Sequence, residues 1–153
     1  MRADDTADTA DAARRLQAIA DMQPPFSRLM GTNIVEVTRD RVVAEVLVRE
    51  ELTNRNGGLH GGAVMAIADN LGGTATFVNM PEGAGTTTIE SKTNFFAAVP
   101  FGDTVRAECT PLHRGRTTMV WQTRIIRGDG KLAAIVTQTQ LITPSQLGTP
   151  QRA

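Results

Sequence analysis

The chain has 153 residues, room for one ordinary domain and little for a second. Apolar residues at 41% supply a packed core, and charged residues at 21% are too few for a disordered chain. Lys+Arg and Asp+Glu are 16 each, so the net charge is zero. That balance argues against a nucleic-acid partner held by bulk electrostatics.

In chain order, residues 1–25 read as a partly ordered helical segment, with Leu16, Ile19 and Ala20 as a weak stripe. Pro24-Pro25 ends it, because proline lacks a donor and restricts the residue before it. Phe26 to Gly31 adds one helical turn closed by glycine. Ile34–Thr38 and Arg41–Val48 are β-prone runs around an Arg39-Asp40 turn, a hairpin. Thr53–Gly62 is a glycine-rich loop. From Gly61 to about Val78 the period becomes helical, with Val64, Ile67, Ala68, Leu71, Ala75 and Val78 in one stripe. Four more strands follow, Thr86–Phe96, Asp103–Leu112, Thr117–Arg127 and Lys131–Thr143. Gly128-Asp129-Gly130 makes the last hairpin turn. The order β-β-α-β-β-β-β, with short connections among the last four strands, predicts an α+β domain. In it, an antiparallel sheet curls around one long helix. Residues 144–153 read as a tail.

The stretch before residue 16 carries four aspartates and no apolar run, unlike a secretory leader. The longest uncharged run, 132–151, is broken by polar residues and proline and predicts no membrane span. The one cysteine, Cys109, allows no intrachain disulfide and argues against a cysteine-based metal cluster. It alternates with Val105 and Ala107 and reads as a buried small apolar residue. The expectation is a cytoplasmic protein without metal, membrane or nucleic acid.

The chemistry concentrates in Asn54-Arg55-Asn56-Gly57-Gly58-Leu59-His60-Gly61-Gly62, which runs into the long helix. Its glycines let backbone approach a ligand, and the helix start presents unpaired N–H groups that suit an oxyanion or polarised carbonyl. The plain alternative is a flexible cap. Asp69 lies in mid-helix within AVMAIADNLGG, a poor place for aspartate. At 100° per residue it falls with Met65, Gly72 and Thr76 beside the apolar stripe. Gly72-Gly73 costs roughly 1 kcal/mol per glycine, a sign of close approach by backbone, partner or ligand. His60 could be a base, a ligand or a loop-pinning side chain; pinning is favoured. Asn54 can position a carbonyl or a water, or simply make a turn. Between Thr104 and Lys131, Arg106, Arg114, Arg116, Arg124, Arg127 and Lys131 outnumber Glu108 and Asp129. The His113-Arg114-Gly115-Arg116 turn concentrates that charge, which could meet phosphates, although exposed arginines are usually just solvated.

Asn54, Gly58-Leu59-His60-Gly61-Gly62 and the acid nine residues after His60 resemble the hotdog-fold acyl-CoA thioesterases, most of all those of the phenylacetate-pathway and hydroxybenzoyl-CoA type. The likeness continues through Asn94-Phe95-Phe96, Gly102-Asp103-Thr104-Val105, Arg114-Gly115-Arg116 and Gly128-Asp129-Gly130-Lys131. It thus covers about 26–143, which would be the hotdog domain. The resemblance implies hydrolysis of an acyl-CoA, with aryl- and arylacetyl-CoA as candidates, and no cofactor beyond the substrate's own CoA. It implies Asp69 as nucleophile or base, the Gly61 N–H as carbonyl donor, Asn54 beside the nucleophile or water, and His60 ordering the loop. Thr88 matches a hydroxyl position that assists in some relatives. Gly62, Gly73, Thr88, Arg114 and Arg116 are expected to bind substrate, the two arginines near the nucleotide phosphates. Some hydroxybenzoyl-type members have glutamate in place of Asp69 and a hydroxyl residue in place of Gly73, which favours the phenylacetate-like branch. A non-catalytic acyl-CoA sensor is the alternative, but such proteins usually add a DNA-binding domain. The roughly 30 residues before the first strand are too few for one.

Gly61 and Asp69 stand eight residues apart on one helix, about 12 Å along its axis. One thioester carbonyl needs both groups within about 7 Å of each other. If both are catalytic, Gly61 of one chain must meet Asp69 of another, in a homodimer with shared sites. Helices crossing near Gly72 and Gly73 would allow this, and a dimer of dimers is the family expectation.

Overall fold

The computed structural model describes residue 14 and residues 16–144. It contains α1 (Pro25–Met30), β1 (Asn33–Val37), β2 (Val42–Leu47), a 3-10 turn at Glu50–Leu52, α2 (Gly61–Phe77), β3 (Gly85–Phe95), β4 (Thr104–Arg114), β5 (Thr118–Ile126) and β6 (Leu132–Thr143). Every expected strand is present with its ends within two residues. The six strands form one sheet in the order β1-β2-β4-β5-β6-β3, all neighbours antiparallel. β4 corrects the reading of its end. It continues through His113 and Arg114 because a bulge between Pro111 and His113 restores pairing with Val120 and Met119. Residues 14 and 16–21 are helical, while residues 1–13, residue 15 and the tail after Pro144 lie outside the described residues.

One face of the sheet holds α2. Inward positions alternate along the strands: Val42, Ala44 and Val46; Val105, Ala107 and Cys109; Met119, Trp121, Thr123 and Ile125; Ala134, Val136, Gln138 and Gln140, all buried. Against them pack Val64, Ile67, Ala68, Leu71 and Ala75 of the helix. Ile67 and Leu71, with no exposed surface, each contribute about 1.5–3 kcal/mol by burial. Trp121 Nε1 donates to Thr76 Oγ1 at 2.8 Å, and that hydroxyl donates to the Gly72 carbonyl at 2.9 Å. Gly72 and Thr76 therefore turn into the core rather than sharing the flank of Asp69, because their faces meet β6 and β5.

β3 and β4 are not neighbours. The chain leaves the β3 edge and crosses the end of the sheet through residues 96–103, passing β6 and β5. This crossing holds the glycine-rich loop. Leu59 N–H donates to Val99 O, Phe101 N–H to Gly57 O, and Gly102 N–H to Val48 O. A Cβ on Gly58 would stand 3.1 Å from the Val99 carbonyl, so glycine allows that close approach.

Candidate active site

The loop delivers the helix N-terminus in a fixed form. Asn54 closes it as a turn: its Oδ1 accepts from Asn56 N–H at 2.8 Å and Gly58 N–H at 3.3 Å, while its own N–H donates to Gly58 O. With Oδ1 committed inward, Nδ2 is the part of the side chain left to donate outward. His60 is the N-cap of α2, and its Nδ1 accepts from Gly62 N–H at 2.9 Å. That bond makes Nδ1 the unprotonated nitrogen. Ala63 and Val64 N–H donate to the His60 carbonyl. Gly61 N–H, the first of the helix, has no partner among the described residues. Val64, Phe95, Val99 and Ala134 surround it in a cleft of about 440 Å³ that also contains Asn54. A Cβ on Gly61 would approach the Phe95 ring to 3.2 Å.

Asp69 occupies a different cleft, of about 430 Å³, with Gly73, Phe77 and Thr88, walled on the far side by Ile19 and Met22. Its Oδ1 accepts from Thr88 Oγ1 at 2.7 Å and lies 3.4 Å from Gln138 Nε2. Among the described residues nothing bonds Oδ2. The two glycines that follow differ. A Cβ on Gly72 would stand 2.5 Å from the Gln138 amide, whereas one on Gly73 would meet nothing within 4 Å and project into open space. Gly72 thus accommodates a side chain of its own chain, and Gly73 is the one of the two that faces outward.

The two clefts share no lining residue, and eight helical residues, about 12 Å, separate their key groups. One chain thus keeps these two groups in separate clefts.

Of the expected phosphate ligands, Arg114 is engaged at the far end of the helix. It pairs with Asp40 at 2.8 Å and donates to Arg39 O and Asn79 Oδ1. Arg116 is exposed and forms no ion pair among the described residues. Arg106 is held by Glu108 and Glu45, the Glu108 hydrogen bond chiefly raising its pKa, and Arg127 pairs with Asp129. Three of the six basic side chains of this region are therefore paired with carboxylates. Cys109 has no exposed surface and burial pushes its thiol up to about 12, so it is no nucleophile. Among the described residues no group of three or more His, Cys, Asp or Glu could hold a metal.

Sequence reasoning missed Gln138 and Gln140. Both continue the inward alternation of Ala134 and Val136, so the period-2 pattern places two amides in an apolar face. That was the available signal.

A model of the thioesterase superfamily matches residues 56–134, which takes in the glycine-rich part of the loop, α2, β3, β4 and β5. ComA2 of Bacillus subtilis, a protein carrying a provisional esterase name, is 32% identical over 117 residues, covering 75% of this chain and 91% of its own. The crystal structure of the thioesterase HI1161 from Haemophilus influenzae superposes with a TM-score of 0.79 at 25% identity, covering 90% of this chain and 94% of that one. The smu.793 protein of Streptococcus mutans, bound to acetyl-CoA, has the same fold, with a TM-score of 0.69 at 23% identity over 75% and 90% of the two chains. The chain belongs to the thioesterase superfamily and has its hotdog fold.

Proposed function

We propose that this protein hydrolyses an acyl-CoA thioester to the free acid and CoA, in a homodimer whose two sites each join Gly61 of one protomer to Asp69 of its partner. The reading rests on one observation: an exposed carboxylate with one free oxygen and an unpartnered helix-start N–H lie in separate half-sites. Neither half suffices alone. The Gly61 N–H would stabilise the charge that develops on the carbonyl oxygen. Asp69 would attack the carbonyl carbon or draw a proton from the attacking water, and CoA leaves as the thiol. Either role uses the same free oxygen. Asn54 Nδ2 would hold the acyl carbonyl or water, His60 keeps the loop in shape with Gly62 leaving room for its ring, and Gly73 would give the substrate room. Thr88 steadies the carboxylate. The CoA-bound fold neighbour supports CoA as the carrier, and Arg114 and Arg116 would meet its phosphates. An arylacetyl group would lie against the apolar wall of Met22, Ile19 and Phe77, and a CoA-thioester substrate supports a cytoplasmic setting.

Dimer formation has its own support. β3 is an edge strand of 11 residues that exposes Ile89 and Phe95, with Phe96 just beyond its end. Its outer side has no neighbouring strand, and although Glu90 and Lys92 stand beside Ile89 and Phe95, an edge of that length can pair with a second copy. Met65, exposed on α2, lies midway between Gly61 and Asp69 in sequence. A two-fold axis passing there with helices antiparallel would bring each Gly61 opposite the partner's Asp69. The test is Asp69→Asn, with CoA release followed over acetyl-, hexanoyl-, benzoyl- and phenylacetyl-CoA. Loss of nearly all turnover with the fold intact is expected; retained turnover refutes the assignment. Light scattering separates a dimer from the dimer of dimers.

A further inference from the structure

We infer that Gln138 and Gln140 are positioning residues for Asp69: with Thr88 they fasten its Oδ1 and leave Oδ2 as the oxygen that acts on the substrate. The inference rests on the reading of Asp69 given above and extends it to two buried side chains, Gln140 in the wall of the Asp69 cleft and Gln138 against the helix. Both glutamines are 1% exposed and project from β6 beneath the helix. Gln140 Nε2 donates to Thr88 Oγ1 at 2.8 Å, which leaves that hydroxyl's proton for Asp69 Oδ1 at 2.7 Å. The amide of Gln140 is itself oriented, because Thr86 Oγ1 stands 3.1 Å from its Oε1 and from the Leu141 carbonyl. Donation therefore runs one way, from Gln140 through Thr88 to the carboxylate.

Gln138 reaches Asp69 from the other side. Its Nε2 is 3.4 Å from both Oδ1 and the backbone carbonyl of Asp69. Both are acceptors, so the amide must turn its NH2 toward them. Its Oε1 is then buried with no partner among the described residues. An orphaned buried acceptor costs about 1–3 kcal/mol. Gly72, whose missing Cβ gives the amide its place, costs about 1 kcal/mol of helix propensity. A leucine at 138 would remove the orphaned acceptor. Stability does not account for this arrangement, and two hydrogen bonds that hold one carboxylate oxygen do.

A purely structural role and a positioning role predict opposite results for Gln138→Leu. Positioning predicts a melting temperature unchanged or raised, with kcat lowered about tenfold and KM unchanged, the effect of one weak hydrogen bond to a charged group. Gln138→Met repeats the test if the leucine variant does not fold. For Gln140 the readout is non-additivity: Thr88→Val and Thr88→Val with Gln140→Leu should have the same kcat, while Thr88→Ser retains most of it. The substrate is whichever of acetyl-, hexanoyl-, benzoyl- and phenylacetyl-CoA the unsubstituted chain cleaves fastest, with Asp69→Asn alongside. If Asp69→Asn is inactive but Gln138→Leu or Gln138→Met keeps full kcat, or loses stability in proportion to activity, positioning is overturned. Additive losses at Thr88 and Gln140 overturn it too. If Asp69→Asn is itself active, the underlying reading fails, and the inference with it.

Discussion

Adjacent glycines in α2 should respond oppositely to the same substitution. Alanine in place of either one gains about 1 kcal/mol of helix propensity. At position 73 nothing opposes the gain, since the new methyl would meet no atom within 4 Å. At position 72 the methyl would stand 2.5 Å from the Gln138 amide, whose buried side chain would have to shift within the packed core. Overpacking of this kind costs about 1–3 kcal/mol. Gly73→Ala is therefore expected to raise the melting temperature by about 2–4 °C for a chain of this size. Gly72→Ala should leave it level or lower it by a similar amount. Activity separates them further. Gly72→Ala displaces Gln138 from Asp69 and should lower kcat. Gly73→Ala narrows the cleft and should raise KM for phenylacetyl-CoA more than for acetyl-CoA. Calorimetric melting and CoA-release kinetics on the two variants are the measurements. Shifts of the same sign and size at both positions would refute this account of why the glycines are there.

Alkaline pH should weaken the fold through Cys109. Its thiol is held near 12 in the folded chain by burial, a Thr123 hydrogen bond partly opposing, against an ordinary value of 9.0. Between those values the unfolded chain releases the proton first, so stability is fully present below about 9 and falls by roughly 1 kcal/mol per pH unit above it. Urea titrations at pH 8 and 10.5 should show that loss in the unsubstituted chain and less of it in Cys109→Ala; equal slopes would contradict it. At the β4–β5 turn, Arg116→Ala should raise KM for an acyl-CoA several-fold with kcat unchanged, as expected for a lost charged phosphate contact. Arg114→Ala should raise KM and also lower the melting temperature, because Asp40, Arg39 and Asn79 lose a shared partner; an unchanged KM in both variants would remove the arginines from the CoA site.

Local structure was readable because each element buries one face. The stripe Val64, Ile67, Ala68, Leu71, Ala75 has helical period, and Ala134, Val136 and their neighbours alternate. Strand order was not readable, since alternation fixes which side a residue faces and not which strand lies beside it. Nothing in 96–103 announces that the chain crosses the sheet end instead of making a hairpin. The site was readable where special chemistry left a local cost, as with Asp69 in an apolar helix and the glycines before it. It was unreadable where contacts are distant in sequence. Gly72 and Gly73 look alike as letters and differ because only one faces Gln138. Arg114 and Arg116 look like a pair, but Asp40 holds only Arg114.

The shared site is tested most directly by mixing two inactive chains. Gly61→Pro removes the carbonyl donor with little other change. Position 61 is the first of the helix, where proline is well tolerated. His60 before it is already extended, at φ −65° and ψ 136°, and the Phe95 ring that a Cβ would approach is exposed. Alone, this variant should lose about 100- to 1,000-fold in kcat, and Asp69→Asn should be inactive. Unfolded together in equal amounts and refolded, half the dimers are hybrids. Each hybrid joins an intact Gly61 to an intact Asp69 at one of its two sites, so about one quarter of the unsubstituted activity should return. Activity no greater than the sum of the two parents, in mixtures where mass measurement finds hybrids, would contradict a site built from two protomers.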